Sequence, residues 1–302
     1  MKPYAIQSIR ALHEILELPK PKHPLISVID FSKIKCYDDQ KLESVTYGFY
    51  CISLKKNFKG WMRYGQQHYD YDDGIMSFFA PDQVVITEIR DDWELEGLWL
   101  VIHPDFIQGF SLGKEINQFG FFSYAVNEAL HLSEGEERMI TLLLNDIAVE
   151  SEKATDTFSH AILIKQIELL LSYCDRFYYR QFLTRKQAGS NLLSSFEKLL
   201  DDCFEKEGLQ GHSIPAVSQL AEKLHISSNY LSDMLRSITG RSAQEHIQLK
   251  LISEAKRLLS STELSVSEIA YRLGFEYPQS FSKLFKKKTE KTPRQFRSIM
   301  NN

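Results

Sequence analysis

A chain of 302 residues, 43 % hydrophobic and 25 % charged, is long enough for two domains, each with its own core. Its net charge is −4, and no apolar run reaches the ~18 residues of a membrane-spanning helix. Four scattered cysteines (Cys36, Cys51, Cys174, Cys203) form no C-x-x-C pair and no signal-peptide pattern is present, which excludes a disulfide scaffold and points to a reduced, cytoplasmic protein with no membrane partner.

In chain order, Tyr4 to Leu18 spaces Ile6, Ile9, Leu12, His13 and Leu16 as a short helix, broken by Pro19, Pro21 and Pro24. From Leu25 to about His103, "LISVIDF", "SVTYGFYCISL", "IMSFFA", "VVITEI" and "LEGLWLVIH" read as short strands, punctuated by turns at Tyr71–Gly74 and Pro81–Gln83. Such a series predicts a small barrel or double-sheet jelly roll. From Ser133 the period becomes helical, opened by a capping box of Ser133 with Glu136. A second long helix covers Phe158 to Phe182, and its apolar stripe is wider than packing on one barrel requires. The polar stretch "TRKQAGS", residues 184–190, reads as an interdomain linker. Leu192, Phe196, Leu199, Leu200 and Cys203 then mark the first helix of the C-terminal half.

Beyond Ser213 the chain repeats itself. "VSQLAEKLHISSNYLSDMLRSITG" begins at Val217 and "VSEIAYRLGFEYPQSFSKLFKKKTE" at Val266. Val217, Leu220, Ala221 and Leu224 match Val266, Ile269, Ala270 and Leu273; after a one-residue insertion, Leu231, Leu235 and Thr239 match Phe281, Phe285 and Thr289. Each copy is a helix-turn-helix pattern, about 215–240 and about 265–290. Pro215 suits a first helical position, and Gly240 and Gly274 suit a helix end and a turn. Capping boxes are expected at Ser242 with Glu245, Ser265 with Glu268 and Thr292 with Gln295. Between the copies, Ile247, Leu251, Ala255, Leu258 and Leu259 predict one linking helix over about 242–260, roughly 27 Å long at ~1.5 Å per residue.

Charge divides with the pattern. From Ser213 onward 14 Lys+Arg face 8 Asp+Glu, a net +6, while residues 1–212 carry 22 against 32, a net −10. A basic third and an acidic remainder put the nucleic-acid footprint in the C-terminal part.

The double motif, its linking helix and the ending "TPRQFR" together resemble the AraC/XylS class of bacterial transcription regulators over roughly Leu192 to Asn302. The resemblance implies an α+β protein: a cupin-like effector-binding and dimerisation domain (1–183) of barrel or jelly-roll form with two following helices, a linker (184–190), and an all-α DNA-binding domain (191–302). It implies a sequence-specific, effector-responsive regulator, more often an activator than a repressor. Its partners would be double-stranded DNA read in two successive major grooves, a small-molecule effector, RNA polymerase, and a second copy docked through helices within 133–182.

Carried onto this sequence, the family pattern makes Asn229, Ser232 and Asp233 base contacts in the first copy, with Arg236 on a phosphate or paired with Asp233 one turn away. In the second copy Gln279, Ser280 and Lys283 face bases, and Lys286 and Lys287, followed by Lys288, hold phosphates. Tyr230, Leu231, Met234, Leu235, Phe281, Leu284 and Phe285 belong to the core. In the N-terminal half, "YGQQHYDYDDG" offers Tyr64, His68, Tyr69 and Tyr71, with Trp61 nearby, as effector contacts. His68 and His103 have no H-x-H partner, and neither a phosphate-cradling glycine loop nor G-x-S-x-G occurs, so no metal, cofactor or catalytic residue is expected. The rival readings are a constitutive regulator whose barrel only dimerises, a cupin-type metal enzyme carrying a DNA-binding tail, and a thiol sensor acting through Cys36 or Cys51.

Overall fold

The structure is a computed structural model that describes residues 3–34, 44–56, 74–86, 96–125, 128–153, 156, 158–184, 186–205 and 213–300. The chain divides into two compact units, 1–181 and 182–302. The first is rich in sheet and the second is helical, an α+β organisation as expected.

In the first unit, β1 (Tyr4–Ile6), β3 (Ser44–Tyr47) and β6 (Val84–Ile86) form a three-stranded sheet in the order β1-β3-β6. A second sheet runs β2 (Ile26–Asp30), β7 (Glu96–Ile102), β4 (Tyr50–Lys56), β5 (Ile75–Phe79), β8 (Leu130–His131), antiparallel throughout. Register sorts its side chains. Cys51 lies opposite Phe79 and Val101, and Ile52 lies opposite Phe78 and Leu100, so alternate residues face opposite sides.

On one side Cys51, Phe79, Trp99 and Val101 share a core with Ile6, Val45 and Val85 of the small sheet. Ile9, Leu12 and Leu16, in and just after α1 (Ile9–Ile15), complete that core. On the other side, Cys174 Sγ of α5 (Ser159–Thr184) lies 3.7 Å from Met76 Sδ, and the Phe78 ring meets Phe121 at 4.5 Å. The helix α4 (Glu134–Glu152) lies on β2 and β7, and its predicted capping box of Ser133 with Glu136 is present. Both faces of β4 and β5 are buried, so their large apolar side chains all lie in a core, each contributing roughly 1.5–3 kcal/mol. Two short helices, α2 (Pro104–Ile107) and α3 (Ser111–Glu115), follow β7; His103 caps α2, its Nδ1 accepting from the Asp105 N–H at 3.3 Å.

Three readings need correction. The helix expected over Tyr4–Leu18 is shorter: Tyr4–Ile6 is a strand paired in parallel with Val45–Tyr47, and the helix starts after Ser8, whose hydroxyl accepts from the Ala11 N–H. A strand of three residues is held by its distant partner, which local spacing does not reveal. Residues 186–190, expected within a linker, are the opening of α6 (Lys186–Glu205). Lys, Gln and Ala are good helix formers, and the apolar stripe through Phe196 and Leu200 carries the helix past one glycine. Pro215 precedes the N-cap Ala216 rather than occupying a first helical position.

Among the cysteines, Cys51 and Cys174 are buried, and burial pushes both thiols well above their ordinary range, so neither is a ready thiolate. Cys36 lies outside the described residues. Among the described residues, no helix is long and apolar enough to cross a membrane.

His13 ties α1 to β2. Its Nδ1 lies 2.6 Å from the Pro19 carbonyl oxygen, which can only accept, so Nδ1 carries the proton and Nε2 accepts from Ser27 Oγ at 3.0 Å. Burial holds the imidazole pKa below its ordinary 6.5. The unfolded chain therefore takes up the proton first, and the associated stability is full above about pH 6.5 and is lost as pH falls toward the folded-state value. Thermal melts at pH 7.5 and 5.5 are expected to show a drop for the native chain and a smaller drop for His13→Gln.

Candidate nucleic-acid interface

The second unit is built around one apolar helix. α9 (Ala243–Ser261) buries Ala243, Ile247, Leu251, Ile252, Ala255, Leu258 and Leu259. Its N-terminus carries the expected capping box of Ser242 with Glu245. At its other end the Thr262 N–H and hydroxyl both donate to the Leu258 carbonyl, and Arg297 Nε donates to the Leu259 carbonyl at 3.2 Å. α6 packs on it through Phe196, edge-on to His246 at 5.7 Å, and an Asp201–Lys250 ion pair of 2.6 Å.

The first helix-turn-helix is α7 (Val217–Lys223) and α8 (Ser228–Thr239); the second is α10 (Val266–Arg272) and α11 (Pro278–Thr289), followed by α12 (Pro293–Met300). Their turns and helix ends repeat the same bonds. After α7 the chain passes through His225 at φ 58°, and the Ile226 N–H returns to the Ala221 carbonyl at 3.1 Å. After α10 it passes through Gly274 at φ 80°, and the Phe275 N–H returns to the Ala270 carbonyl at 3.0 Å. Both turns are helix C-caps with one left-handed residue.

The far ends match too. Gly240 (φ 75°) and Glu290 (φ 62°) close α8 and α11, with Thr239 and Thr289 hydroxyls donating to the Leu235 and Phe285 carbonyls. Each is followed by a capping pair, Ser242–Glu245 or Thr292–Gln295.

This register fixes which side chains point outward. On α8, Tyr230, Leu231, Met234 and Leu235 are buried against the core, leaving Asn229 and Arg236 exposed and Ser232 and Asp233 half-buried on the opposite face. The expected pairing exists: Arg236 Nη1 lies 2.7 Å from Asp233 Oδ1. On α11, Phe281 and Phe285 are buried, and Gln279, Ser280, Lys283, Lys286, Lys287 and Lys288 are exposed. Pro278 occupies the first turn, where proline costs no intrahelical bond. Aligning Leu231 with Phe281 makes Gln279, Lys283 and Lys286 the counterparts of Asn229, Asp233 and Arg236. The counterpart of Ser232 is Ser282, which the sequence reading missed; Ser280 stands where the first copy has buried Tyr230. Counting from the matched Leu231 and Phe281 would have found it.

In the N-terminal unit the expected effector contacts Trp61, Tyr64, His68, Tyr69 and Tyr71 all lie outside the described residues. β4 carries a further signal. Strand alternation puts Ser53 and Lys55 on the same side of β4 as Cys51, facing the core shared with the small sheet. Ser53 Oγ is 2.7 Å from Ser77 Oγ, and burial holds the Lys55 ammonium down to about 8.

Two helix-turn-helix units with matched outer faces define a DNA-binding class of domain. A family described as "Helix-turn-helix domain" matches residues 220–299. Among curated relatives, the uncharacterized HTH-type transcriptional regulator YfiF of Bacillus subtilis (strain 168) is 30 % identical over 141 residues, 47 % of this chain and 41 % of that one. The HTH-type transcriptional activator RhaS of Escherichia coli (strain SE11) is 30 % identical over 47 % of this chain and 46 % of its own. The chain thus spans less than half the length of either relative. The C-terminal domain of the two-component response regulator yesN from Fusobacterium nucleatum subsp. nucleatum ATCC 25586 is 38 % identical, covering 33 % of this chain and 96 % of that one, with a TM-score of 0.30. The C-terminal region of this chain belongs to the AraC/XylS class of helix-turn-helix domains.

His225 and Glu290 adopt a backbone conformation that costs an L-residue roughly 1–2 kcal/mol. Part of the relief from glycine is offset by its greater entropy loss on folding. Chemical denaturation is expected to show His225→Gly and Glu290→Gly stabilised by about 0.5 kcal/mol each, and Gly274→Ala destabilised by about 1 kcal/mol. Phe281→Ala, by emptying a fully buried site, is expected to cost about 3–5 kcal/mol.

Proposed function

We propose that this chain is a sequence-specific DNA-binding transcription regulator of the AraC/XylS type whose C-terminal unit engages two successive major grooves. The observation that carries this reading is the repetition of one helix-turn-helix geometry, each copy with an exposed outer face, on the net basic C-terminal part of the chain. Asn229 and Ser232 on α8, and Gln279, Ser282 and Lys283 on α11, are the base-reading side chains; Lys286 and Lys287 hold phosphates. At ~1.5 Å per residue, the 19 residues of α9 span roughly 28 Å. With its flanking turns, that suits recognition helices about one DNA turn, ~34 Å, apart.

The N-terminal unit, in this reading, is a cupin-like barrel that binds a small-molecule effector and joins two copies. Two sheets sharing one core support it, as do the buried polar groups Ser53, Ser77 and Lys55 within that core. So do exposed apolar residues one heptad apart, Leu142 and Val149 on α4 and Ile162 and Leu169 on α5. The effector shifts the population able to hold both DNA sites at once, and RNA polymerase is then the partner. The activator RhaS among its relatives favours activation.

Selection of bound duplexes from a random pool at about 0.15 M salt tests the reading. Two short motifs about 10 base pairs apart are expected; a wild-type chain that enriches no motif overturns it. For the dimer, sedimentation equilibrium is expected to show Leu169→Glu as a monomer under conditions where the native chain is a dimer.

A further inference from the structure

The two recognition helices are alike in backbone and unlike in charge. At the positions where α11 has Lys283 and Lys286, α8 has Asp233 and Arg236, joined at 2.7 Å. Where α11 continues with Lys287 and Lys288, α8 has Ser237 and Ile238. One acid and one base on α8 cancel; four lysines on α11 do not.

A carboxylate on the outer face of a groove-entering helix is repelled by phosphate, so its presence calls for a reason. Stability does not supply one, because an exposed i,i+3 ion pair contributes little. The geometry does. The Asp233 side chain is 28 % exposed and the Arg236 side chain 58 %, so the carboxylate sits nearer the helix and the guanidinium projects past it. One N–H of the planar fork is used by Asp233, which leaves the other donors for a partner and removes rotamer freedom before binding. A guanidinium so held matches the O6 and N7 acceptors of guanine. The lysines of α11 are flexible point charges suited to phosphate.

We propose that Asp233 is a positioning residue that aims Arg236 at a guanine, so that α8 supplies most of the domain's base preference and α11 most of its grip on the backbone. This gives Arg236 a base in place of the phosphate expected from sequence, and it rests on the reading of the domain as a DNA binder.

The test repeats the random-pool selection with full-length Asp233→Asn, Arg236→Lys and the double variant Lys286→Met/Lys287→Met, then measures Kd against salt on the wild-type motif. Circular dichroism melts confirm that each variant folds. Asp233→Asn and Arg236→Lys are expected to lose about 10-fold of the preference for one G·C pair in the first half-motif. Their salt slopes should stay within about one of wild type. The lysine double variant is expected to keep the motif and lower the slope by about two. If Asp233→Asn tightens binding to all sequences alike, the carboxylate is only a repulsive charge and the proposal fails. It fails equally if Arg236→Lys, which keeps the charge, keeps the motif, or if the lysine variant loses it. A wild-type chain with no motif overturns the DNA-binding reading itself, a distinct result.

Discussion

The C-terminal unit depends on the apolar seam of α9. Its buried residues are shared, with α8 packed on it from the first helix-turn-helix and α10 and α12 from the second. Neither short pair could bury enough surface to stand alone, since a helix of seven residues such as α7 or α10 is marginal without tertiary support. Sharing one seam stabilises both pairs and, by the same contacts, fixes the distance between their recognition helices. Both ends of the seam are tied: Ser242 and Glu245 satisfy each other's backbone at the start, and Arg297 of α12 takes a carbonyl at the finish. Spacing within the unit is therefore set by a rigid helix rather than a flexible connector.

Within each pair the governing constraint is a left-handed residue, and the two copies meet it differently. The first copy has glycine at the end of its recognition helix and histidine in its turn; the second has glycine in its turn and glutamate at the end. Hydrogen bonds hold the shape where glycine does not. In each turn a backbone N–H reaches back five residues, and at each helix end a threonine hydroxyl closes the last turn. The backbone pattern does not depend on glycine at every left-handed position.

The repeat, caps and core of the C-terminal unit were legible because their causes are local. Helical spacing, Ser with Glu three residues on, and matched apolar positions all lie within a few residues of one another. What escaped notice depends on distance or register. Tyr4–Ile6 becomes a strand only because Val45–Tyr47 lies beside it. Residues 186–190 look like a linker in composition, yet they continue a helix whose apolar anchors begin further on. Ser282, the counterpart of Ser232, is identified only by register with the first copy, because serines stand on both sides of Phe281. Lys55 was hidden inside a strand read for its apolar content, although its alternation with Cys51 and Ser53 was already visible.

Charge decides how these parts combine. A long-range positive field favours any DNA, and the C-terminal +6 would do so alone. The remainder of the chain carries −10, which opposes non-specific binding without touching a base. Discrimination rests on the ratio of specific to non-specific affinity rather than on either alone. An acidic partner unit therefore lowers the background against which short-range contacts act. Those contacts are least dependent on the field where the outer face is itself neutral, as on α8, and most dependent where four lysines stand together, as on α11. In the proposed division of labour, the differently charged faces of the two copies answer the two requirements of a DNA reader, choosing a site and holding it.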